Sequence, residues 1–360
     1  MRVTRLWLHD FRNYTEAEID VAPDGLTVIQ GTNGEGKTNL LEAIGWLATL
    51  SSFRGAPADA LVRIGAPAAV VRAEGERDGR KLLIEAEIRP GGRDRVLVNR
   101  QPLRRTRDLL GAIRVSVFAP DDLVMVKGGP GERRRFLDEA LVALHPRNDG
   151  LRTDLDKVLR QRNTLLKQSG GRLSAEVEAT LDVWDAKLAQ TGEALVAARE
   201  ELVADLAPAV AVAYDQVAHT SAEVTVGYVR SWDGGLAEAV AASRRDDLRR
   251  GVTLVGPHRD DLAVAIAGLP SRTHASQGEQ RSLALALRLA AHQVVTESVG
   301  ESPVLLLDDV FSELDPGRSD ALLAHLPAGQ ALLTTAGPLP EGALPARIIC
   351  VVGGQVLEAA

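Results

Sequence analysis

The sequence predicts an α/β fold in which a helical segment interrupts a sheet-containing domain. Three observations lead to this class. The first third of the chain is rich in strand-like apolar patterns, the middle changes to a helical period, and the last third returns to alternating strands and helices. We expect a head built from residues 1–118 together with 251–360, and an inserted helical arm over residues 119–250.

The predicted strands of the first third are short apolar runs or alternate apolar with polar residues. They are Val3–Leu8, Glu16–Val21, Leu26–Gln30, Ala69–Glu76, Leu82–Ile88, Arg95–Val98 and Ile113–Phe118. One helix interrupts them and begins near Lys37.

The arm carries the signature of a short coiled coil. Leucines recur every seven residues, at Leu181, Leu188, Leu195 and Leu202. The preceding amphipathic stretch ends at a Ser-Gly-Gly break, which can turn the chain so that two helices pack antiparallel. We therefore expect a short antiparallel, coiled-coil-like hairpin within the arm.

Composition excludes several classes of protein. Hydrophobic residues make up 45% and charged residues 25% of the chain, which is ordinary for a globular protein. No window approaches the roughly 18 consecutive apolar residues of a membrane span, and the N-terminus lacks the apolar segment of an export signal. The only cysteine, Cys350, lies in an apolar run, where a buried thiol is expected. These features favour a cytoplasmic protein without a membrane partner.

Charge is distributed unevenly along the chain. The net charge is −7, which argues against indiscriminate coating of nucleic acid. Between Arg93 and Arg114, however, seven arginines stand against two acids. A solvated face and a phosphate-binding face both explain such a run. Aromatic residues make up only 3%, so contacts to DNA are expected through phosphates rather than through base stacking.

A glycine-rich segment follows the third strand. Residues 31–38 fit the pattern G-x-x-x-x-G-K-[ST] between a strand and a helix, a context that disfavours an incidental glycine-rich turn. The backbone N–H groups of such a loop face phosphate, and the helix N-terminus adds positive potential. We expect Lys37 to reach the β- and γ-phosphates of ATP and Thr38 to bind Mg²⁺. The predicted ATP-binding residues are Gly31, Thr32, Asn33, Gly34, Glu35, Gly36, Lys37, Thr38 and Asn39.

A second apolar strand ends in two carboxylates, in the manner of a Walker B motif. Val304–Leu307 is followed by Asp308 and Asp309, and such a strand delivers its acids to the edge of a parallel sheet. We expect Asp308 to hold Mg²⁺, and Asp309 to orient or deprotonate the attacking water. Most ABC-type ATPases have glutamate in that place, so the shorter side chain predicts slow turnover. An apolar strand that simply starts a turn is the alternative interpretation.

Two further segments lie where ABC-type ATPases carry their signature motif and D-loop. Ser-x-x-Glu is also a capping box that opens a helix, and an aspartate before proline also serves as a helix N-cap. Both interpretations can hold together. The predicted signature residues, which bind the γ-phosphate held by a second subunit, are Ser276, Gln277, Gly278, Glu279 and Gln280. The predicted D-loop residues are Ser312, Glu313, Leu314 and Asp315.

The order of these motifs resembles the ABC-type heads of SMC proteins, and details along nearly the whole chain resemble the RecF recombination-mediator family. The RecF-like segments are Leu6–Tyr14, Phe118–Leu123, Gly128–Asp138 and Gly256–Asp260. This resemblance implies an ABC-type P-loop ATPase head, with a mixed sheet and flanking helices, and an inserted helical arm. It also implies head-to-tail dimerisation around two ATP molecules.

The resemblance further implies a DNA partner and a place in repair. The expected substrate is DNA at gaps or at junctions of single and double strands, and RecO and RecR are the expected partners in loading RecA. The arginines expected to contact DNA are Arg93, Arg95, Arg100, Arg104, Arg105 and Arg107.

Two departures from the wider ABC pattern are visible. Residues 119–122 contain no glutamine where a Q-loop is expected, and Thr334-Thr335 replaces the usual switch histidine. Together they suggest a timer-like ATPase, and both argue against the nucleotide-binding subunit of a transporter. An SMC-like structural tether would need longer arms. A small-molecule P-loop kinase would not explain the signature and D-loop segments together.

Overall fold

The computed structural model describes residues 2–77, 79–218 and 222–358, and its contacts divide the chain into two compact units. The first unit comprises Met1–Leu123, Val212–Ser221 and Arg281–Ala360, and the second comprises Val124–Ala211 and Ala222–Gln280.

The secondary-structure elements are numbered in chain order. The strands are β1 (Arg2–Phe11), β2 (Tyr14–Asp20), β3 (Gly25–Gln30), β4 (Ala69–Arg77), β5 (Arg80–Ile88), β6 (Arg95–Val98), β7 (Gln101–Pro102), β8 (Val115–Phe118), β9 (Val224–Val229), β10 (Asp261–Ile266), β11 (Leu269–Pro270), β12 (Val304–Asp308), β13 (Gln330–Thr335), β14 (Pro345–Val352) and β15 (Gln355–Glu358). The helices are α1 (Lys37–Thr49), α2 (Ala58–Leu61), α3 (Val124–Lys127), α4 (Pro130–Leu144), α5 (Asp149–Gln168), α6 (Ala175–Ala218), α7 (Leu236–Arg250), α8 (Ser271–His274), α9 (Gln277–Val299) and α10 (Pro316–Ala324).

A six-stranded mixed sheet carries the nucleotide-binding motifs of the first unit. Its order is β15-β14-β3-β13-β12-β8, and every neighbouring pair is parallel except the β14–β15 hairpin. All residues of β12 and β13 are buried, as the apolar runs of a central parallel sheet require. The carboxyl ends of β3, β12 and β13 therefore meet at one edge of the sheet.

A second sheet of the first unit is antiparallel, in the order β2-β1-β4-β5-β6-β7. Helix α1 contacts both sheets, and its side chains share one hydrophobic core with them. Every strand predicted in the first third of the sequence is present, because each one buries an apolar face in this core. The position of α1 fixes the loop that precedes it.

The second unit combines helices with the three-stranded sheet β11-β10-β9. The four heptad leucines of α6 are each at most 2% exposed. Leu166 of α5, Leu181 of α6 and Leu248 of α7 share a small hydrophobic core.

In the described residues, no helix is both long and apolar enough to cross a membrane.

Residues 119–123 and Val212–Ser221, expected in the arm, group with the first unit. The larger difference from the domains expected from sequence lies at residues 251–280. The sequence groups these residues with the head, whereas the contacts group them with the second unit. The physical reason is the pairing of β10 with β9, in which Asp261 lies opposite Val229 and Ile266 opposite Val224. Such pairing between distant segments leaves no local pattern in the sequence.

Candidate nucleotide-binding site

The loop between β3 and α1 depends on its glycines. Gly34 and Gly36 have φ angles of 89° and 110°, in the left-handed region that favours glycine. A Cβ atom on Gly36 would lie 2.6 Å from the Asn13 side chain, and one on Gly31 would lie 2.3 Å from the carbonyl oxygen of Val351. The loop is thus packed closely by its neighbours at Gly31 and Gly36.

Lys37 begins α1 and folds back over the loop. Its Nζ donates a hydrogen bond to the Thr32 carbonyl oxygen at 2.8 Å, and the residue is 7% exposed. The Thr32 hydroxyl donates to the Glu35 carboxylate at 3.0 Å, while Asn33 and Gly34 are exposed at the tip. An ammonium group has three donors, so the contact with Thr32 leaves two for a phosphate group.

The turn between β1 and β2 holds the loop from the other side, a contact that the motifs did not predict. The Tyr14 hydroxyl donates to the Gly36 carbonyl oxygen at 3.1 Å, and the Asn13 amide donates to the Glu35 carbonyl oxygen at 3.0 Å. The Asn39 amide donates to Asn13 Oδ1 at 2.7 Å. Burial raises the pKa of Tyr14 above its ordinary value, so the phenol stays a donor at neutral pH. In the sequence, this turn was identified only by its family resemblance.

Asp308 lies at the end of β12, beside the first turn of α1. Its Oδ1 accepts hydrogen bonds from the hydroxyls of Thr38 and Thr334, each at 2.7 Å. Asp308 is 7% exposed. Burial raises the pKa of its carboxyl group, and the two hydroxyl hydrogen bonds and the charge of Arg54 act in the opposite direction. The structure thus brings together the two residues predicted to hold Mg²⁺.

The chemistry of this oxygen pair fits Mg²⁺. A hydroxyl has one proton and two lone pairs. Because Thr38 gives its proton to Asp308, its lone pairs remain available to a cation. Among the described residues, no group of three or more His, Cys, Asp or Glu side chains is placed to hold a metal ion. Mg²⁺ commonly binds one or two protein oxygens and takes its other ligands from phosphates and water, so two protein oxygens suffice.

Asp309 follows in a left-handed conformation, with φ 48° and ψ 31°. Its backbone N–H donates to the Thr334 hydroxyl at 3.0 Å and to the Thr334 carbonyl oxygen at 3.2 Å. Its side chain is half-buried. The threonine that stands in place of a switch histidine therefore contacts both carboxylate residues of the Walker B segment.

The predicted D-loop, residues 312–315, lies between β12 and α10. The Ser312 hydroxyl donates to the backbone of the preceding turn at 2.8 Å. The Asp315 carboxylate accepts the backbone N–H of Arg318 at 3.0 Å, and Pro316 is the first residue of α10. The N-cap interpretation of this segment is therefore confirmed.

The predicted signature segment, residues 276–280, opens α9. The backbone N–H of Ser276 donates to the Glu279 carboxylate at 2.7 Å, and the backbone N–H of Glu279 donates to the Ser276 hydroxyl at 3.3 Å. This reciprocal pair confirms the capping box. Gln280 is buried and donates to the Ser271 carbonyl oxygen at 3.3 Å. Ser276 is exposed, which leaves it accessible to a second molecule.

The segment in the place of the Q-loop, residues 119–122, is closed by hydrogen bonds. One oxygen of Asp122 accepts the backbone N–H of Ala119 at 2.9 Å, and the other accepts Arg288 at 2.6 Å. Arg288 lies on α9. The aspartate therefore joins the end of β8 to the helix that begins at the signature segment.

The predicted DNA-contacting arginines lie in the loop before β6, on the β6–β7 hairpin and in the segment after it. All are exposed, and the described part of the chain supplies no ion pair to any of them. They are Arg93, Arg95, Arg100, Arg104, Arg105 and Arg107. The hairpin turns at Asn99 and Arg100, with φ angles of 49° and 66°. This surface therefore presents uncompensated positive charge.

Comparisons with known proteins agree with this geometry. A family model described as the RecF/RecN/SMC N-terminal domain matches residues 2–332. A relative from Kineococcus radiotolerans named DNA replication and repair protein RecF is 46% identical, over 95% of this chain and 94% of its own length. A relative of the same name from Streptomyces avermitilis is also 46% identical, over 93% of both chains.

Solved structures extend the comparison. The recombination mediator protein RecF of the RecFOR pathway, described with ATP, has a TM-score of 0.91 and 29% identity over 100% of this chain and 98% of that chain. An SMC head bound to the winged-helix domain of ScpA has a TM-score of 0.58 at 15% identity, covering 100% of this chain and 98% of that chain, and shows the fold alone. The fold is an ABC-type P-loop ATPase head with an inserted helical arm, and the chain belongs to the RecF family of DNA replication and repair proteins.

Proposed function

We propose that the chain is an ATP-dependent DNA-binding protein of recombinational repair and replication restart, in which bound ATP controls pairing of two subunits. The observation that carries the proposal is the meeting of three strand ends at one sheet edge. The loop after β3, the carboxylates after β12 and Thr334 at the end of β13 are joined there by hydrogen bonds. Relatives named for DNA replication and repair, and a solved RecF described with ATP, support it.

The proposed nucleotide site uses the residues of the loop and of the Walker B segment. Gly31 to Asn39 surround the phosphates, and Lys37 supplies the positive charge. Thr38 and Asp308 hold Mg²⁺, which as a Lewis acid stabilises the charge that develops on phosphate oxygens. Asp309 orients the attacking water. Its side chain is shorter than glutamate, so hydrolysis is slow and the protein acts mainly as a switch.

The proposed pairing places the signature segment of one subunit on the ATP of the other. Ser276 and the N-terminus of α9 would bind the γ-phosphate, because helix N-termini favour anions. The D-loop, residues 312–315, would line the same interface. A nucleotide that contacts both subunits stabilises the pair by mass action, and hydrolysis then releases it.

The proposed DNA surface is the arginine-rich face of the β6–β7 hairpin. Its exposed, unpaired guanidinium groups suit the phosphates of gapped duplex and of junctions between single and double strands. RecO and RecR are the proposed partners, with RecA loaded downstream in the cytoplasm. Solved relatives are described as the recombination mediator protein RecF of the RecFOR pathway, which supports this assignment.

The nucleotide site is tested by replacing Lys37 with methionine and Asp308 with asparagine. Lys37→Met should weaken ATP binding or prevent its use, because the phosphates lose their cation. Asp308→Asn should retain binding and lose hydrolysis, because the metal loses a charged ligand. Equilibrium binding of ATP and steady-state phosphate release measure the two effects.

Lys81→Met is the matched control, since Lys81 is exposed on β5 and lies outside the site. It should bind and hydrolyse ATP as the wild type does. Wild-type hydrolysis by Asp308→Asn would refute the metal assignment.

A further inference from the structure

Thr334 is the last but one residue of β13, beside the carboxylate end of β12. In the parallel register of the two strands, Asp308 lies directly opposite Thr334. Thr334 is 1% exposed, so water does not compete for its hydroxyl. The environment therefore fixes which groups this hydroxyl can bind.

The hydrogen bonds of the Thr334 hydroxyl are fully determined by its neighbours. It donates its proton to Asp308 Oδ1 at 2.7 Å, because a carboxylate can only accept. It accepts the backbone N–H of Asp309 at 3.0 Å, because a backbone N–H can only donate. One hydroxyl thus bridges the two acidic residues, acting as donor to the first and acceptor from the second.

The bridge has a consequence for Asp308. Thr38 and Thr334 both donate to Oδ1, and within the described residues no hydrogen bond reaches Oδ2. Two donors on one oxygen fix the rotation of the carboxylate about its Cβ–Cγ bond. Oδ2 is left without a hydrogen bond from these residues, so it can serve as a ligand to a cation.

The bridge also has a consequence for Asp309. A left-handed conformation is unfavourable for residues other than glycine and persists only where the surroundings hold it. Here both the hydroxyl and the carbonyl oxygen of Thr334 accept the Asp309 N–H. Without the hydroxyl, one of the two anchors of this backbone conformation is lost.

We propose that Thr334 is a positioning residue for ATP hydrolysis, which orients the metal-binding carboxylate of Asp308 and anchors the backbone of Asp309 through one hydroxyl group. The inference rests on the proposed function, because it assigns a role within the same nucleotide site. Thr334 stands where a switch histidine is usual, and it acts on the two acidic residues rather than on the nucleotide.

The test compares full-length variants that differ by a single functional group. Thr334→Val keeps the shape of the side chain and removes the hydroxyl, whereas Thr334→Ser keeps the hydroxyl and removes the methyl group. Thr335→Val is the control, since among the described residues the hydroxyl of Thr335 forms hydrogen bonds only within its own turn, at Gly337. For each protein, ATP hydrolysis is measured at saturating ATP over a range of Mg²⁺ concentrations, and ATP binding is measured separately.

Loss of a group that orients a metal ligand typically costs about 10–100-fold in metal affinity or activity. We expect Thr334→Val to lose turnover by a factor in this range and to need more Mg²⁺ for half-maximal activity, with ATP affinity within about threefold of wild type. Thr334→Ser should recover most of the activity, and Thr335→Val should match the wild type.

Three outcomes would overturn the inference. The first is a Thr334→Val variant whose turnover and Mg²⁺ dependence match those of an active wild type. The second is an equal loss in the serine variant, which would indicate a packing role. The third is a wild type that neither binds nor hydrolyses ATP, which refutes the proposed function itself and the inference with it.

If Thr334→Val does not fold, Thr334→Ala replaces it. Equal activity of the alanine and serine variants would then contradict the role of the hydroxyl.

Discussion

His292 illustrates how a single buried side chain couples the first unit to pH. The ring is 2% exposed, and its two nitrogens contact the hydroxyls of Ser116 at 2.9 Å and Ser302 at 3.1 Å. Hydroxyl groups can serve a neutral imidazole as donor to one nitrogen and acceptor from the other. Burial disfavours the charged ring and lowers the pKa of His292 to about 4.

The sign of the pH dependence follows from this shift. Between about pH 6.5 and pH 4 the unfolded chain binds a proton that the folded protein excludes, so the free energy of unfolding falls as the pH is lowered. From pH 7 to pH 5, one such histidine contributes a loss of up to about 2 kcal/mol. We expect the free energy of unfolding of His292→Gln, measured in urea, to fall less over this pH range than that of the wild type.

His145→Gln is the control for removal of a histidine as such, because His145 is exposed. Identical pH profiles for His292→Gln and the wild type would contradict the account.

The individual residues differ in how far the sequence predicts them. Lys37, Thr38 and Asp308 follow from local patterns whose spacing is tied to strand ends. Asn13 and Thr334 do not, because each acts through a contact with a residue far away along the chain. A threonine at the end of a strand has many ordinary explanations, and only the parallel register places it beside Asp308.

At the level of elements, long-range ion pairs join helices whose apolar patterns were visible in the sequence. Arg199 of α6 is 3% exposed and forms two hydrogen bonds with Asp138 of α4, at 2.9 and 3.0 Å. It also donates to the Pro257 carbonyl oxygen at 2.9 Å. The heptad leucines predict the buried face of α6, but no local pattern identifies the acid that Arg199 meets.

Removing one member of such a pair should be costly. Arg199→Met leaves the Asp138 carboxylate buried without its partner, and breaking a buried pair commonly costs about 3–5 kcal/mol. The exposed pair of Arg230 with Glu200, at 2.7 Å, offers a matched control. Arg230→Met should cost less than about 1 kcal/mol.

Chemical denaturation of both variants measures the difference. An equal, small loss of stability in the two variants would contradict the structural role of the Arg199 pair.

On the scale of the whole molecule, the charge distribution is more informative than the net charge. The chain is acidic overall, yet the arginines of the β6–β7 hairpin lack ion pairs among the described residues. The sequence predicts their clustering and their exposure. It does not predict the grouping of residues 251–280 with the second unit, because that grouping depends on the pairing of β9 with β10.

The arginine surface predicts a salt-dependent affinity for DNA. Replacing Arg100, Arg104 and Arg105 with glutamine should weaken binding of gapped duplex and reduce the slope of log affinity against log salt, by up to about 0.9 for each lost phosphate contact. Fluorescence anisotropy over a range of salt concentrations measures both quantities.

A matched triple variant controls for the loss of charge as such. It replaces Arg63, Arg89 and Arg230, which are held in ion pairs, with glutamine, and it should leave the slope nearly unchanged. Equal slopes for the wild type and the hairpin variant would place the DNA on another surface.

Nucleotide-controlled pairing is the central claim, and sedimentation velocity tests it most directly. The wild type should sediment as a monomer without nucleotide and as a dimer with saturating Mg-ATP and gapped duplex. Ser276→Arg should bind ATP yet remain a monomer, because the added side chain blocks the exposed start of α9. A wild type that stays monomeric with Mg-ATP and DNA, or a Ser276→Arg variant that dimerises normally, would contradict the account.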